Sequence, residues 1–267
     1  MNKDNWFLLG DIHGGAGPLY VFYKREKDRL KLDIRKNYMI LLGDVGLNFQ
    51  IGSMRDQKVK EELSALPFTY ICLRGNHESR VKPLWQANPE SWNKEMKYEG
   101  LVYVEKDFPN IHYLSDVPEV YSFAGIKTLA IPGAYSVDKD IRLLRGWPWF
   151  SDEQLIDEEK EIGRAIAKEA GPFDLVVSHT CPGIYTPTDL FISGIDQSKV
   201  DRSMEQYLNE IEFNLDYKRW AFGHYHADRL YPCCDGKQML MLYNENVVDL
   251  RKFMNVKNTD NLRDILA

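Results

Sequence analysis

The sequence predicts a protein of the α/β class. Apolar runs rich in β-branched residues recur along the chain, and several of them stop abruptly at a polar cluster, which is typical of buried strands. In the first third of the chain these runs alternate with stretches of helical spacing, so the order reads β-α-β-α-β. This alternation favours parallel strands covered by helices. Of the 267 residues, 44% are hydrophobic and 28% are charged, which excludes intrinsic disorder.

Five predicted strands share one pattern, in which an apolar run ends just before a cluster of Gly, Ser, Asp, Asn or His. These strands are 6–9, 39–42, 70–73, 175–177 and 220–222. Helical spacing predicts helices over 19–30 and 54–66. In the middle of the chain, 101–132 contains short strand-like runs interrupted by Pro and Gly, which indicates hairpins rather than helical crossovers.

The second half of the chain contains two further predicted helices. Ser151 as the N-cap and Gln154 at the capping-box position predict a helix that continues to Ala170, before Gly171 and Pro172. A second helix is expected over 199–213. The tail 228–250 alternates in strand fashion around a turn at 235–236, and a short polar helix is expected to close the chain.

Charge and composition limit the classes of function. The 34 Lys and Arg residues against 40 Asp and Glu residues leave a formal charge of −6, so there is no broad basic face for non-specific nucleic-acid binding. No apolar run approaches the roughly 20 residues of a membrane span, and the first residues lack the regions of a signal peptide, so we expect a cytoplasmic protein. Without repeats or linkers, we expect one domain over residues 1–267.

Polar residues with metal-binding side chains follow the predicted strands. Five of the six histidines lie in these clusters, and only His112 falls elsewhere, where we expect an ordinary residue. A single histidine is more often structural than a ligand, but the carboxyl ends of strands in an open α/β sheet meet at one crevice. The residues expected there are Asp11, His13, Asp44, Asn76, His179, His224 and His226.

Seven such ligands suit two metal ions better than one. Two carboxylates, one amide oxygen and four imidazoles are too many for a single tetrahedral zinc ion with an open position. If one carboxylate bridges, each ion receives four protein ligands. Oxygen and imidazole donors without thiolate favour divalent ions such as Mn²⁺, Fe, Zn²⁺ or Ni²⁺. The donor set does not fix the identity of the metal; we expect Mn²⁺, with the other three as alternatives.

Five short blocks resemble the calcineurin-like metallophosphoesterases, in the order that this family has. The resemblance implies a four-layer αββα sandwich, with two mixed β-sheets flanked by helices and the site at one edge. The blocks are Gly10-Asp11-Ile12-His13-Gly14, Gly43-Asp44, Gly75-Asn76-His77-Glu78, Ser178-His179 and Gly223-His224-Tyr225-His226.

The resemblance also implies a role for each residue of these blocks. Two ions about 3.5 to 4 Å apart can hold a bridging hydroxide that attacks phosphorus in line, and His77 is expected to protonate the departing alkoxide as the general acid. The implied ligands are Asp11, His13 and His226 for the first ion, Asn76, His179 and His224 for the second ion, and Asp44 as the bridge.

One position departs from the family pattern. Many relatives carry an Asp three positions after the bridging one, where it orients the catalytic His, but this chain has Leu47 there. A backbone carbonyl, Asn48 or Asp138 remains open as the group that orients His77. The second block also lacks the Arg that serine/threonine phosphoprotein phosphatases use to grip phosphate. A protein phosphatase is therefore an alternative, as is a non-catalytic binding scaffold, which Leu47 favours and the filled ligand positions oppose.

Substrate contacts are expected near the segment 133–150, which is rich in aromatic and cationic residues and is predicted to form the rim of the crevice. Arg142 in this segment and Arg80 after the third block are the candidate phosphate-binding residues, whereas Arg74 is expected to be structural. Glu78 is expected either to support the metal ligands or to cap a helix. The substrate class is a phosphomonoester or phosphodiester of a small molecule, a nucleotide or a phosphoprotein, with no membrane partner, and the sequence does not indicate the oligomeric state.

Overall fold

A computed structural model describes residues 4–30, 34–191 and 193–267, and these residues form two mixed β-sheets with helices on their outer faces. The strands are β1 (Asn5–Leu9), β2 (Asn37–Leu41), β3 (Thr69–Cys72), β4 (Trp92–Lys97), β5 (Gly100–Glu105), β6 (Ile111–Leu114), β7 (Glu119–Phe123), β8 (Ile126–Ile131), β9 (Phe173–Ser178), β10 (Tyr217–Phe222), β11 (Arg229–Pro232), β12 (Gln238–Met241) and β13 (Val248–Asp249). The helices are α1 (Gly17–Glu26), α2 (Met54–Ser64), α3 (Val81–Ala87), α4 (Lys139–Arg145), α5 (Asp157–Glu169), α6 (Ser203–Asn214), α7 (Leu250–Met254) and α8 (Leu262–Ile265).

Each sheet has a parallel centre and antiparallel edges. The first sheet has the order β13-β1-β2-β3-β6-β5-β4, in which β1, β2, β3 and β6 are parallel. The second has the order β11-β12-β10-β9-β8-β7, in which β12, β10, β9 and β8 are parallel. Strand β5 pairs antiparallel with β6, and β7 with β8, as the hairpin pattern of the middle segment predicts. The pairings of β4 with β5, β1 with β13 and β11 with β12 are also antiparallel.

Alternation of side chains along the strands builds three buried layers. In β1, Trp6 and Leu8 point into the core between the two sheets, where side chains of β9 and β10 meet them. Phe7 and Leu9 point to the opposite face and pack against the side chains of α1 and α2. On the second sheet, Trp220 lies in the outer layer with side chains of α5 and α6. The four-layer αββα sandwich is therefore confirmed.

The five predicted strands and the order β-α-β-α-β are confirmed, but the predicted start of α5 is wrong. The helix begins at Asp157 rather than after Ser151, and its N-terminal amide at Ile156 donates to Glu159 Oε2 over 3.1 Å. The residues before it serve loop contacts instead. Glu153 binds Ser136, and the carbonyl group of Gln154 accepts a hydrogen bond from an arginine.

The structure also tests the helix predicted over 199–213 and the turn predicted at 235–236. Helix α6 begins at Ser203, because 197–199 forms a separate 3-10 turn instead of the first helical residues. The predicted turn at 235–236 joins the antiparallel strands β11 and β12, with Asp235 and Gly236 both at positive φ.

No helix in the described part of the chain combines the length and the apolar character that a bilayer crossing requires.

Candidate metal site

The loops that follow β1, β2, β3, β9 and β10 meet at one edge of the sandwich. Backbone hydrogen bonds join them directly: the amide of His13 donates to Asp44 O over 2.8 Å, and the amide of Gly223 donates to His179 O over 2.9 Å. The imidazole of His179 links the two sheets, since its Nδ1 donates a hydrogen bond to Leu42 O over 2.8 Å. The carboxyl-terminal ends of the parallel strands in both sheets therefore lie at the same edge of the sandwich.

Three donor atoms assigned to the second ion lie together. Asn76 Oδ1 is 2.9 Å from His179 Nε2 and 3.1 Å from His224 Nδ1. Because the Nδ1 of His179 already bonds to a carbonyl group, its Nε2 is the nitrogen that faces the amide oxygen. An amide oxygen and two imidazole nitrogens that lie this close together are donors that one divalent cation can bind.

The donor atoms assigned to the first ion form a neighbouring group. The Nε2 atoms of His13 and His226 are 2.9 Å apart. Asp11 is fully buried; its Oδ2 accepts from the amide of His224 over 2.8 Å, while its Oδ1 has no hydrogen-bond partner among the described residues. An orphaned carboxylate oxygen in the protein interior is costly, so this atom fits a metal ligand.

Asp44 lies between the two groups. Its carboxylate is within 4.8 Å of ring nitrogens of His13 and His77, and also within 4.8 Å of a carboxylate oxygen of Asp11 and a ring nitrogen of His179. This central position is the one that a bridging ligand would occupy.

The electrostatics of the buried site call for positive charge. Burial opposes ionisation of Asp44, but the imidazoles of His179, His77 and His13 outweigh it and hold its pKa well below the ordinary value. Burial and the charge of Asp44 raise the pKa of Asp11 well above its ordinary value. Although burial lowers the pKa of His179, the Asp44 carboxylate raises it to about 9.

Four of the seven predicted ligands have left-handed backbone conformations. The φ angles are +46° at His13, +48° at Asp44, +73° at His224 and +52° at His226. Such conformations cost non-glycine residues on the order of 1–3 kcal/mol each, and they cluster at functional sites. The tight loops are held in place by the surrounding bonds, and they turn these side chains inward.

The glycines beside the ligands allow the loops to approach each other. Gly43 has a φ of +96°, and a Cβ atom there would strike the ring of His179. A Cβ atom at Gly75 would collide with the carboxylate of Asp44. These contacts give the Gly-Asp and Gly-Asn pairs of the sequence blocks a physical reason.

A chain of hydrogen bonds orients Asn76. Its Nδ2 donates to Ser136 Oγ over 2.9 Å, and Ser136 Oγ donates to Glu153 Oε2 over 2.5 Å. The Ser136 amide also donates to Glu153 Oε1 over 2.8 Å. With its amide nitrogen engaged in this way, Asn76 directs its oxygen towards the two histidines. Sequence reasoning missed Ser136 and Glu153, because neither belongs to a recognisable block.

Glu78 supports the site and does not cap a helix. Its buried carboxylate accepts hydrogen bonds from the amides of Val45 and Gly46 through Oε1, over 2.6 and 3.1 Å, and from the amide of Gly75 through Oε2, over 2.9 Å. Burial, with the charge of Asp44, raises the pKa of Glu78 to about 7. The side chain ties the loop after β2 to the loop after β3.

His77 lies beside the predicted bridging carboxylate, with its Nε2 3.7 Å from Asp44 Oδ2. The same nitrogen contacts Arg142 Nη2, and Asp138 holds this arginine through Oδ2 to Nε over 2.9 Å and Oδ1 to Nη2 over 2.8 Å. Asp138 therefore reaches His77 through Arg142. Burial lowers the pKa of His77 to about 4, and the charge of Arg142 acts in the same direction.

Two other residues near His77 have structural partners. Asn48 Oδ1 accepts from Lys60 Nζ over 2.9 Å, so its side chain is directed to α2. Leu47, which stands where many relatives have an Asp, is 1% exposed and packs in the outer core of the first sheet.

The two other predicted arginines bind protein groups. Arg80 makes a bidentate contact with Glu159, over 2.5 and 3.0 Å, and donates to the carbonyl groups of Asp152 and Gln154. Its role in substrate binding stays a prediction, and its contacts anchor the start of α5. Arg74 is buried and donates to Glu153 O over 2.8 Å, in agreement with a structural role.

Comparison with known proteins identifies the family. Residues 7–228 match the sequence profile described as calcineurin-like phosphoesterase, which is most of the chain. The chain therefore belongs to the calcineurin-like phosphoesterase family and is a metal-dependent phosphoesterase. A search of curated protein sequences finds no match.

Solved structures agree with the fold. A dimetal phosphatase from Danio rerio has a TM-score of 0.54 at 12% identity, and the match covers 93% of this chain and 93% of that one. The protein TT1561 of Thermus thermophilus has a TM-score of 0.52 at 12% identity, with 93% and 95% covered. At this level of identity, the likeness supports the architecture alone.

Proposed function

We propose that the protein hydrolyses phosphoric esters with a pair of divalent metal ions, foremost Mn²⁺, that the seven predicted ligands hold. The observation that carries this proposal is the convergence of donor atoms from five loops around the buried carboxylate of Asp44. Asp11, His13 and His226 would hold one ion and Asn76, His179 and His224 the other, with Asp44 between them.

The charges of the ligands suit a phosphate ester. The two metal ions would supply a water-derived nucleophile and neutralise the charge of the phosphoryl oxygens. Asp11 and Asp44 are the two carboxylates in the proposed ligand set, so they offset two of the four positive charges. Asn76 is a neutral ligand and preserves the excess, which favours an anionic substrate.

His77 is proposed to donate the proton to the leaving oxygen. It lies at the edge of the donor groups, next to Asp44 and Arg142, and not among the proposed ligands. Burial, with the charge of Arg142, sets its pKa at about 4. An anionic ester beside it would raise this pKa, because negative charge stabilises the imidazolium form.

Arg142 is the proposed phosphate contact. It is 1% exposed, and its Nη1 has no hydrogen-bond partner among the described residues. Its guanidinium lies against His77, so one phosphate can meet both groups. A buried arginine with a free donor is suited to charge-assisted bonds with phosphoryl oxygens.

Hydrolysis of p-nitrophenyl phosphate and bis(p-nitrophenyl) phosphate with added Mn²⁺ tests this proposal. We expect turnover that a chelator abolishes and that Asp44→Ala removes, while Phe213→Ala, a change at an 87% exposed side chain of α6, leaves it unchanged. Metal-loaded protein that is inert on a broad panel of monoesters and diesters would contradict the proposal.

Two broader expectations also remain proposals. A single domain over residues 1–267 is supported by the core between the sheets, which includes residues from β1 through α8. The cytoplasmic location would be tested by fractionation of the native cells.

A further inference from the structure

Two clefts meet at His77, beside the candidate metal site, and this residue lines both of them. The first has a volume of about 420 Å³ and includes Asp44, Asn76 and His224 in its wall. The second has a volume of about 260 Å³ and includes His13 in its wall. Both clefts therefore open onto the donor groups that the proposed function assigns to metal.

The segment from Val137 to Trp147, which contains α4, separates the clefts. Val137 lines the first cleft, Asp138 lines both, and Arg142 and Trp147 line the second. Arg142, which Asp138 holds in an ion pair, contacts His77 Nε2 and so joins this segment to the loop after β3. The rim predicted from the sequence thus partitions the crevice into two chambers.

The two chambers differ in chemistry. The first cleft includes the apolar side chains of Leu190, Phe191, Ile195 and Val200, with the charged residues Asp201, Arg202 and Glu205 next to them in the chain. The second cleft combines the aromatic rings of Phe49 and Trp147 with two arginines and two acids, Arg55, Arg142, Asp56 and Asp138. Phe49 packs against His77 with ring centroids 5.7 Å apart, and Trp147 is 49% exposed. The aromatic rings of the second cleft therefore suit a planar aromatic group.

The presence of two clefts favours a phosphodiester substrate over a phosphomonoester substrate. A phosphomonoester has one organic substituent, which one cleft can hold. A phosphodiester has two substituents on one phosphorus, and they leave the phosphate in different directions. A phosphate at the metal site could extend one arm into each cleft.

We propose that the substrate is a phosphodiester with an apolar arm in the first cleft and an aromatic arm in the second. This inference rests on the proposed function. In the reaction, water adds to phosphorus and the bond from phosphorus to one arm breaks. The leaving oxygen takes a proton, and the products are an alcohol or phenol and a phosphomonoester.

A pair of matched diesters isolates the second arm. Methyl p-nitrophenyl phosphate and phenyl p-nitrophenyl phosphate carry the same charge and the same leaving group, and they differ in the size of the other arm. We expect wild-type, Mn²⁺-loaded protein to favour the phenyl compound by at least about 10-fold in kcat/KM, since pocket contacts of this size discriminate by that order.

Variants assign each arm to its cleft. Trp147→Ala should bring the phenyl-to-methyl ratio close to 1, and Leu190→Asp, which places a charge in the apolar wall, should lower kcat/KM for both diesters by about 10-fold or more. Phe213→Ala is the matched control, because it removes an exposed ring from the far end of α6. Inhibition by diphenyl phosphate, compared with methyl phenyl phosphate, gives a second measure of the same preference.

The outcomes distinguish this inference from the proposed function. The inference of a two-armed diester substrate would be overturned by a wild-type phenyl-to-methyl ratio of kcat/KM near 1, or by a ratio that Trp147→Ala leaves unchanged. Hydrolysis of either ester would still support the proposed phosphoesterase function. A higher kcat/KM for p-nitrophenyl phosphate than for the phenyl diester would also overturn it. If metal-loaded protein hydrolysed none of the three esters, the proposed function would fail together with the inference.

Discussion

At the scale of single residues, the site is defined by charge that is buried and held in place. The Asp44 carboxylate stays ionised because the imidazolium of His179 faces it, and its backbone is kept in a left-handed conformation. Burial of charge and backbone strain both work against folding, so these features favour a chemical rather than a stabilising role for Asp44.

The role of His77 can be separated from metal binding by the choice of leaving group. We expect His77→Ala to lower kcat by about 10²- to 10⁴-fold for phenyl phosphate. The loss should be smaller for p-nitrophenyl phosphate, because p-nitrophenolate is a weaker base and needs less protonation. Metal content should stay at the wild-type level. Equal losses for both esters would contradict a proton-donor role.

The hydrogen-bond chain behind Asn76 leads to a prediction about metal affinity. Ser136→Ala removes the group that receives the Asn76 amide, so the amide oxygen loses its fixed direction. We expect the affinity of one metal site to fall by about 10- to 100-fold. Titration with Mn²⁺ measures this, with Ser122→Ala on the edge strand β7 as the control. If Ser136→Ala bound both ions as tightly as the wild type, the hydrogen bonds behind Asn76 would have no orienting role.

At the scale of elements, the strands were more predictable than the helix boundaries. The strands β1, β2, β3, β9 and β10 are apolar runs that stop at polar residues, and this pattern depends on local sequence alone. The predicted start of α5 was wrong because Glu153 is taken by Ser136, which lies in a loop from another strand. A contact between two loops cannot be inferred from the capping pattern of one of them.

The histidine on β6 leads to a prediction about pH. His112 is buried; its Nδ1 accepts from the hydroxyl group of Tyr98 over 2.7 Å, and its Nε2 lies 3.2 Å from Pro109 O and 3.3 Å from Lys97 Nζ. Burial and the charge of Lys97 lower its pKa to about 4. The unfolded chain takes up a proton near the ordinary value of about 6.5, so stability falls as pH falls from about 6.5 towards 4.

Replacement of His112 should remove this contribution. We expect the difference in unfolding free energy between the wild type and His112→Gln to shrink by on the order of 1–2 kcal/mol between pH 7 and pH 5. Urea unfolding at the two pH values measures it. A difference that does not change with pH would show that His112 titrates normally in the folded protein.

At the scale of the whole molecule, the sandwich explains how residues far apart in sequence form one site. Both parallel centres direct their carboxyl ends to the same edge, so loops from Asp11 to His226 meet there. The sequence pattern predicted parallel strands and the polar clusters, and the family resemblance supplied the second sheet and the pairing of ligands. The partition into two clefts depends on where α4 lies over the crevice, which local sequence does not encode.

The metal content of the purified protein tests the central claim most directly. After loading with Mn²⁺ and removal of excess ions, we expect elemental analysis to give two ions per chain for the wild type. Asp44→Ala should retain fewer than two, because the proposed bridge is removed. A wild-type content of one ion or less per chain, or an unchanged content of two in Asp44→Ala, would contradict a pair of ions bridged by Asp44.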